Sequence, residues 1–251
     1  MNIFIDESGN FIHSLSERSW SVVGALAIPE SSLSKAYQLL GEFKEKANAK
    51  LDEEAKKRAS YQDTDIKTLA HSLGRINCTL YCVAFYGGPD SEKNILDLKR
   101  QKIEAIRKGS ENKSDGVVSL ANETIVKIET LSDQLYFQAS AHVSLIKQFI
   151  SRAIPHYAKH EPAALSKFTW RVDRKNKDKK TKFEEIIETI VTGSIQEQSK
   201  EEPLLRVQRR DYSYVDKYLL PAPKESPFPD GSIYANVGGW DLVKIVHDDY
   251  K

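Results

Sequence analysis

The chain has 251 residues, of which 40% are hydrophobic and 29% charged; this is the composition of a protein with a core and excludes an intrinsically disordered chain. A formal net charge of +1 excludes a uniformly basic coat, so any affinity for nucleic acid has to come from local clustering. No apolar run approaches the roughly 18 residues of a membrane span and Met1 opens without a basic leader, so a cytoplasmic location is expected.

In chain order, Asn2 to Asp6 predicts a strand with Ile3 and Ile5 on one face and Phe4 and Asp6 on the other. Trp20 to Ile28 predicts a second, closed by Pro29. A helix capped by Ser31 or Ser32 follows, with Leu33, Ala36, Tyr37, Leu40 and Phe43 at helical spacing and a charged extension to Arg58. Ile76 to Tyr86 reads as a third strand, and its apolar character on both faces predicts a central position. Residues 87 to 160 read as a helical and polar insertion, with a short helix over Leu96–Lys108 and a long one ending near Pro155. Phe168–Asp173 predicts a fourth strand. The capping box of Thr181 and Glu184 starts another helix. Leu204–Arg210 predicts a fifth strand, 212–236 a long loop, and Val237–Asp249 a closing helix. Together these give one α/β domain over residues 1–251, a mixed five-stranded sheet flanked by helices. Cys78 and Cys82, placed about 13 Å apart along one strand, are expected to stay reduced.

Three aspartates occupy positions that packing does not favour. Asp6 ends the first strand, Asp173 the fourth, and Asp241 lies one turn into the expected closing helix. Strands are poor in Asp, and burying an unpaired charge is costly. Such carboxylates together would offer oxygen ligands for Mg²⁺ or Mn²⁺, the arrangement that activates water on a phosphodiester. The structural alternative is that Asp6 and Asp173 start turns and Asp241 caps a helix. Between Lys167 and Lys182, eight basic residues stand against two acidic ones. Arg174, Lys175, Lys177, Lys179 and Lys180 follow Asp173 directly, so a polyanion such as RNA or DNA is the expected partner.

The segment Phe4-Ile5-Asp6-Glu7-Ser8-Gly9 resembles the opening signature of a bacterial family known as domain of unknown function 3800. Val172-Asp173-Arg174 is similar to that family's apolar-Asp-Arg strand end. Gly239-Trp240-Asp241-Leu242-Val243 falls where the family has Leu-Gln-Leu-Ala-Asp-Leu-Val, and departs from it by lacking the Leu-Gln and the Ala before the Asp. The resemblance implies a ribonuclease H-like fold, with Asp6, Asp173 and Asp241 as metal carboxylates. It loosely implies a role in bacterial defence. Asp65-Ile66-Lys67 resembles the family's acid-apolar-basic motif and makes Asp65 a candidate fourth ligand.

Other readings stand beside this one. Glu7 alternates to the face opposite Asp6 and joins the cluster only if the chain bends. Ser8 reads as a turn residue. Asp65 with Lys67 fits a restriction-like nuclease, Lys67 neutralising developing phosphorane charge, or else a surface ion pair. His142 reads as a satisfied core histidine. Asp248, two turns beyond Asp241 on the expected helix, reads as frayed and solvated. Tyr212 and Tyr214 with Arg209 and Arg210 suit base stacking or a hairpin edge. A non-catalytic nucleic-acid or protein-binding module of the same fold is the alternative from another functional class.

Overall fold

Alternation along the first strand sets the frame of the sheet. In β1 (Asn2–Ser8), Ile3 and Ile5 are fully buried on one face, and Phe4 and Asp6 take the other. The computed structural model describes residues 1–12, 19–46, 62–88, 91–173, 179–220, 234–235, 242–243 and 245–248. β2 (Trp20–Ile28) pairs antiparallel with β1, with Asn2 opposite Ile28 and Ser8 opposite Val22. β3 (Thr79–Tyr86) pairs antiparallel with β2. On the other side, β4 (Thr169–Asp173) runs parallel to β1. Two two-residue strands, β5 (Leu204–Leu205) and β6 (Tyr234–Ala235), form a separate ladder. The last strand, β7 (Ile245–Asp248), runs parallel to β4. The main sheet therefore has the order β3-β2-β1-β4-β7 and is mixed.

Helices cover both faces. On one lies α5 (Asp133–His160), whose Phe149 ring meets Tyr81 of β3 and Trp170 of β4 edge-on, each at 5.0 Å between centroids. Ser132 caps α5 by accepting from Leu135 N–H. α6 (Lys182–Glu201) packs on α5 and starts at the expected capping box: Glu184 accepts from Thr181 N–H at 2.6 Å, and Thr181 Oγ1 accepts from Glu184 N–H at 3.3 Å. On the opposite face α1 (Leu33–Lys46) pairs with α2 (Asp63–Arg75), and Leu33, Ala36, Leu73 and Ile76 pack with Phe4, Leu26 and Ile28. α3 (Ser91–Ser110) and α4 (Asp115–Glu129) pack on each other and reach α5 and α6. Among the described residues, no helix is long and apolar enough to cross a membrane.

Several expectations need correction. β3 is an edge strand of the described sheet, not a central one. Its inner face packs on α5, but Leu80, Cys82 and Tyr86 on the other face are exposed, so apolar character on both faces did not mean burial on both. The long helix does not stop near Pro155. It continues to His160 because Ile154, Tyr157 and Ala158 carry the buried stripe onward, and the carbonyl that Pro155 leaves without a helical donor belongs to exposed Ser151. This helix also anchors the core, so the segment expected as an insertion contains its central element. The fifth strand expected over 204–210 shortens to two residues outside the main sheet. At the end of the chain, 245–248 is a strand, not helix: Ile245 and Val246 are β-branched, and pairing with β4 satisfies their backbone. The rest of the expected closing helix lies largely outside the described residues.

Candidate functional site

The first strand runs two residues beyond Asp6, to Ser8, so Asp6 stands near its end and Asp173 at the end of β4, one step past the last pair of the β1–β4 ladder. Ile5 is in register with Val172, so one step further along these parallel strands sets Asp6 beside Asp173. Neighbouring strands lie about 4.8 Å apart. On the far side of β4, Asp173 is itself in register with Asp248 of β7. Carried one step past Ile5 and Val172, the register sets acidic positions abreast on three neighbouring parallel strands, towards the carboxyl ends at which open α/β sheets bind ligands. Asp6 is exposed and Asp173 partly exposed. Asp6 Oδ1 accepts from Glu7 N–H at 2.8 Å, which holds the carboxylate against its own strand.

One rung back on the same face, Arg171 is in register with Phe4, and its guanidinium stands 5.9 Å from the Phe4 ring centroid. Cationic and aromatic side chains therefore flank the acidic rung on the sheet surface. The sequence pattern contained this, since Arg171 alternates with Val172 onto the Asp173 face.

Gly9 is required by the turn beyond β1. Its φ is +107°, and a Cβ there would lie 2.7 Å from both Cα and Oγ of Ser21 and 2.8 Å from the Trp20 carbonyl oxygen. Ser21 Oγ accepts from Phe11 N–H at 2.9 Å and closes the turn, with Phe11 itself at φ 50°. The Asp-Glu-Ser-Gly run thus combines an acid near the end of β1 with the glycine that lets the chain fold back onto β2.

Glu7 points away from Asp6, into the α5 side of the sheet. Its Oε1 accepts from Gln138 Nε2 at 3.1 Å, and its Oε2 lies 3.5 Å from Nε2 of fully buried His142. The regular strand keeps Glu7 and Asp6 on opposite faces. His142 is in the core as expected, but its Nε2 has no hydrogen-bond partner among the described residues.

Asp65 sits in the first turn of α2, where it accepts from Gln62 N–H at 3.2 Å, and lines a shallow cleft between α1 and α2. Lys67 lines a different depression with Ala70, His71, Gly74 and Arg75. The two are not brought to one site. Lys180 Nζ donates to both carboxylate oxygens of Glu188, at 2.9 and 2.8 Å, whereas Lys179 is exposed. Arg174, Lys175, Lys177 and Asp241 lie outside the described residues. Tyr212 is buried, and its hydroxyl accepts from Val207 N–H at 3.0 Å, a structural role that withdraws it from base stacking. Ser8 ends β1 opposite Val22, exposed.

Among the described residues, no group of three or more His, Cys, Asp or Glu side chains is gathered as for a metal ion. No family model, no curated protein and no solved structure matches the chain.

Proposed function

We propose that this protein is a divalent-metal-dependent nuclease of ribonuclease H-like fold that hydrolyses phosphodiester bonds of RNA or DNA, related to the bacterial family whose opening motif it resembles. The observation that carries the reading is the acidic rung: Asp6 near the end of β1 and Asp173 at the end of the parallel β4, one step past the Ile5–Val172 pair, with Asp248 of β7 in register with Asp173. A sheet with an antiparallel hairpin on one side of β1 and parallel strands on the other supports the fold assignment.

The donor set fits Mg²⁺ or Mn²⁺ in kind. Asp6 and Asp173 supply oxygen only, and neither is fully buried, which leaves positions for water and phosphate oxygens. When bound, such ions activate a water and stabilise the leaving oxygen of a phosphodiester. Asp6 and Asp173 would hold them. A third carboxylate would be Asp241, as the family resemblance implies, or Asp248, which the register favours. Arg171 would meet a phosphate on the same face, and Phe4 offers an apolar surface beside it. Arg174, Lys175, Lys177 and Lys179 would guide the polyanion. A cytoplasmic role in bacterial defence agrees with the resemblance.

Incubating the purified chain with end-labelled RNA, DNA and hybrid strands tests this. Cleavage is expected with Mn²⁺ or Mg²⁺ and none with chelator. Salt-sensitive binding without cleavage under any condition would favour the non-catalytic module instead, and chelator-resistant cleavage would exclude the carboxylate mechanism.

A further inference from the structure

We propose that Trp20 and Tyr86 form a base-stacking platform on the face of the sheet that carries Asp6, which makes single-stranded nucleic acid the substrate class. The proposal rests on the hydrolase reading for its site and adds to it the surface that holds the bases.

Strand register places the two rings and the acid on one face. Asp6 stands opposite Gly24 of β2, and Trp20 stands opposite Tyr86 of β3. Side chains alternate along a strand, so Trp20, Val22 and Gly24 all take the Asp6 face. Four residues along β2 set the Trp20 position about 13 Å from that of Gly24. The ground between is low. Gly24 has no side chain, and on the next row Val22 lies between exposed Ser8 and exposed Ala84. Helices α1 and α2 cover the Phe4 and Leu26 end of this face, away from the rings.

The rings are exposed yet held. Their centroids are 5.2 Å apart with the planes tilted by 52°, so they are not stacked face to face on each other. Trp20 is 57% and Tyr86 42% exposed. The Tyr86 ring lies against the backbone of Gly88, where a Cβ would sit 1.9 Å from its Cζ. Gly87 N–H donates to the Ser19 carbonyl at 2.7 Å and ties together the strand ends that carry the pair. Adjoining large apolar side chains left in water mark an interaction surface, and rings already fixed lose little freedom on binding. The neighbours select the occupant. Asp6 adjoins the platform, and Arg171 stands on the other side of Asp6 on the same face. A ligand that joins flat apolar rings to a line of anions fits both parts, the bases on the aromatic pair and the phosphates at the acidic rung with its metal and at Arg171. Every base has a π face, but a duplex keeps those faces against one another; an unpaired strand can lay them on a protein ring.

The test is fluorescence anisotropy of a labelled single strand, in RNA and DNA versions, and of each annealed to its complement, with chelator present so that nothing is cut. The full chain should bind the single strand more tightly than the duplex. Trp20→Ala and Tyr86→Ala should each weaken single-strand binding by about fivefold or more and leave duplex binding as it was. Trp20→Phe keeps a ring and should keep most of the affinity, while the quenching of tryptophan emission by the bound strand falls. If Trp20→Ala fails to fold, Tyr86→Ala decides alone. Absence of binding, duplex affinity equal to single-strand affinity, or parent-like affinity in the alanine variants would overturn the proposal. So would a dimer of the parent, seen by sedimentation, that Trp20→Ala dissociates, since the rings would then be covered by a second copy. Ring-dependent binding without cleavage in Mn²⁺ or Mg²⁺ would contradict the hydrolase reading alone, and cleavage by the parent with unaltered binding in the alanine variants would contradict the platform alone.

Discussion

Replacing Gly9 by alanine tests the link between the opening motif and the shape of the site. The φ of +107° disfavours any L side chain, at about 1–2 kcal/mol. The new Cβ would also sit 2.7 Å from Ser21 Cα, a backbone contact that no rotamer change relieves. Moving β2 away lengthens the bond from Phe11 N–H to Ser21 Oγ, worth about 0.5–1.5 kcal/mol. Together these give a destabilisation of about 3 kcal/mol, or a melting temperature lower by about 6–12 °C for a chain of this size. Urea unfolding followed by tryptophan fluorescence measures it, and Gly9→Asn, a residue more tolerant of positive φ, should behave no better because the steric clash remains. A loss below about 1 kcal/mol in Gly9→Ala would refute the reasoning, since the φ term alone predicts as much.

At pH 8 a thiol reagent should label Cys82, exposed on β3, quickly and leave Cys78 protected until unfolding, because Cys78 is buried and burial, with the Glu161 charge, pushes its thiol up to about 11. The raised value favours the neutral thiol in the folded state, so its contribution to stability is complete below pH 9 and is lost as pH rises towards 11; pH-dependent urea midpoints of parent and Cys78→Ala check the sign. Asp65→Ala should cost about 0.5–1 kcal/mol as a first-turn acid of α2 and leave any cleavage rate unchanged; a hundredfold loss of rate would restore the restriction-like reading. Replacing Arg174, Lys175, Lys177 and Lys179 with Gln should reduce the log–log salt slope of oligonucleotide binding by about 0.7–0.9 for each phosphate the variant no longer touches, and an unchanged slope would remove the segment from binding.

Much of the sheet was legible because its first, second and fourth strands follow strict rules. β1 alternates, β2 stops at Pro29, and Phe168, Trp170 and Val172 share one face with Asp173 on the other. The capping box at Thr181 fixed the start of α6 for a local reason that tertiary contacts did not alter. What failed depends on non-local partners. Apolar residues on both faces of β3 suggested a central strand, yet nothing in that segment records which neighbours it will have. The helix through Pro155 survives because core burial beyond the proline outweighs one missing hydrogen bond. Residues Ile245–Asp248 fit a helix end in isolation, and only the exposed hydrogen-bonding edge of β4 makes them a strand. That error also placed Asp248 on a frayed helix, when its register is beside Asp173. The partner of Glu7 was hidden likewise: Glu7 and His142 are 135 residues apart, and only the docking of α5 under β1 brings them together.

The most direct test of the central claim is the cleavage rate of Asp6→Asn and Asp173→Asn on a strand that the parent cuts with Mn²⁺. Each substitution keeps the shape of the side chain and removes a negative ligand from the acidic rung. The expected result is a fall of at least a hundredfold in both, with melting temperatures near that of the parent. Parent-like turnover in both variants would contradict the account and move the chemistry away from the carboxyl ends of β1 and β4.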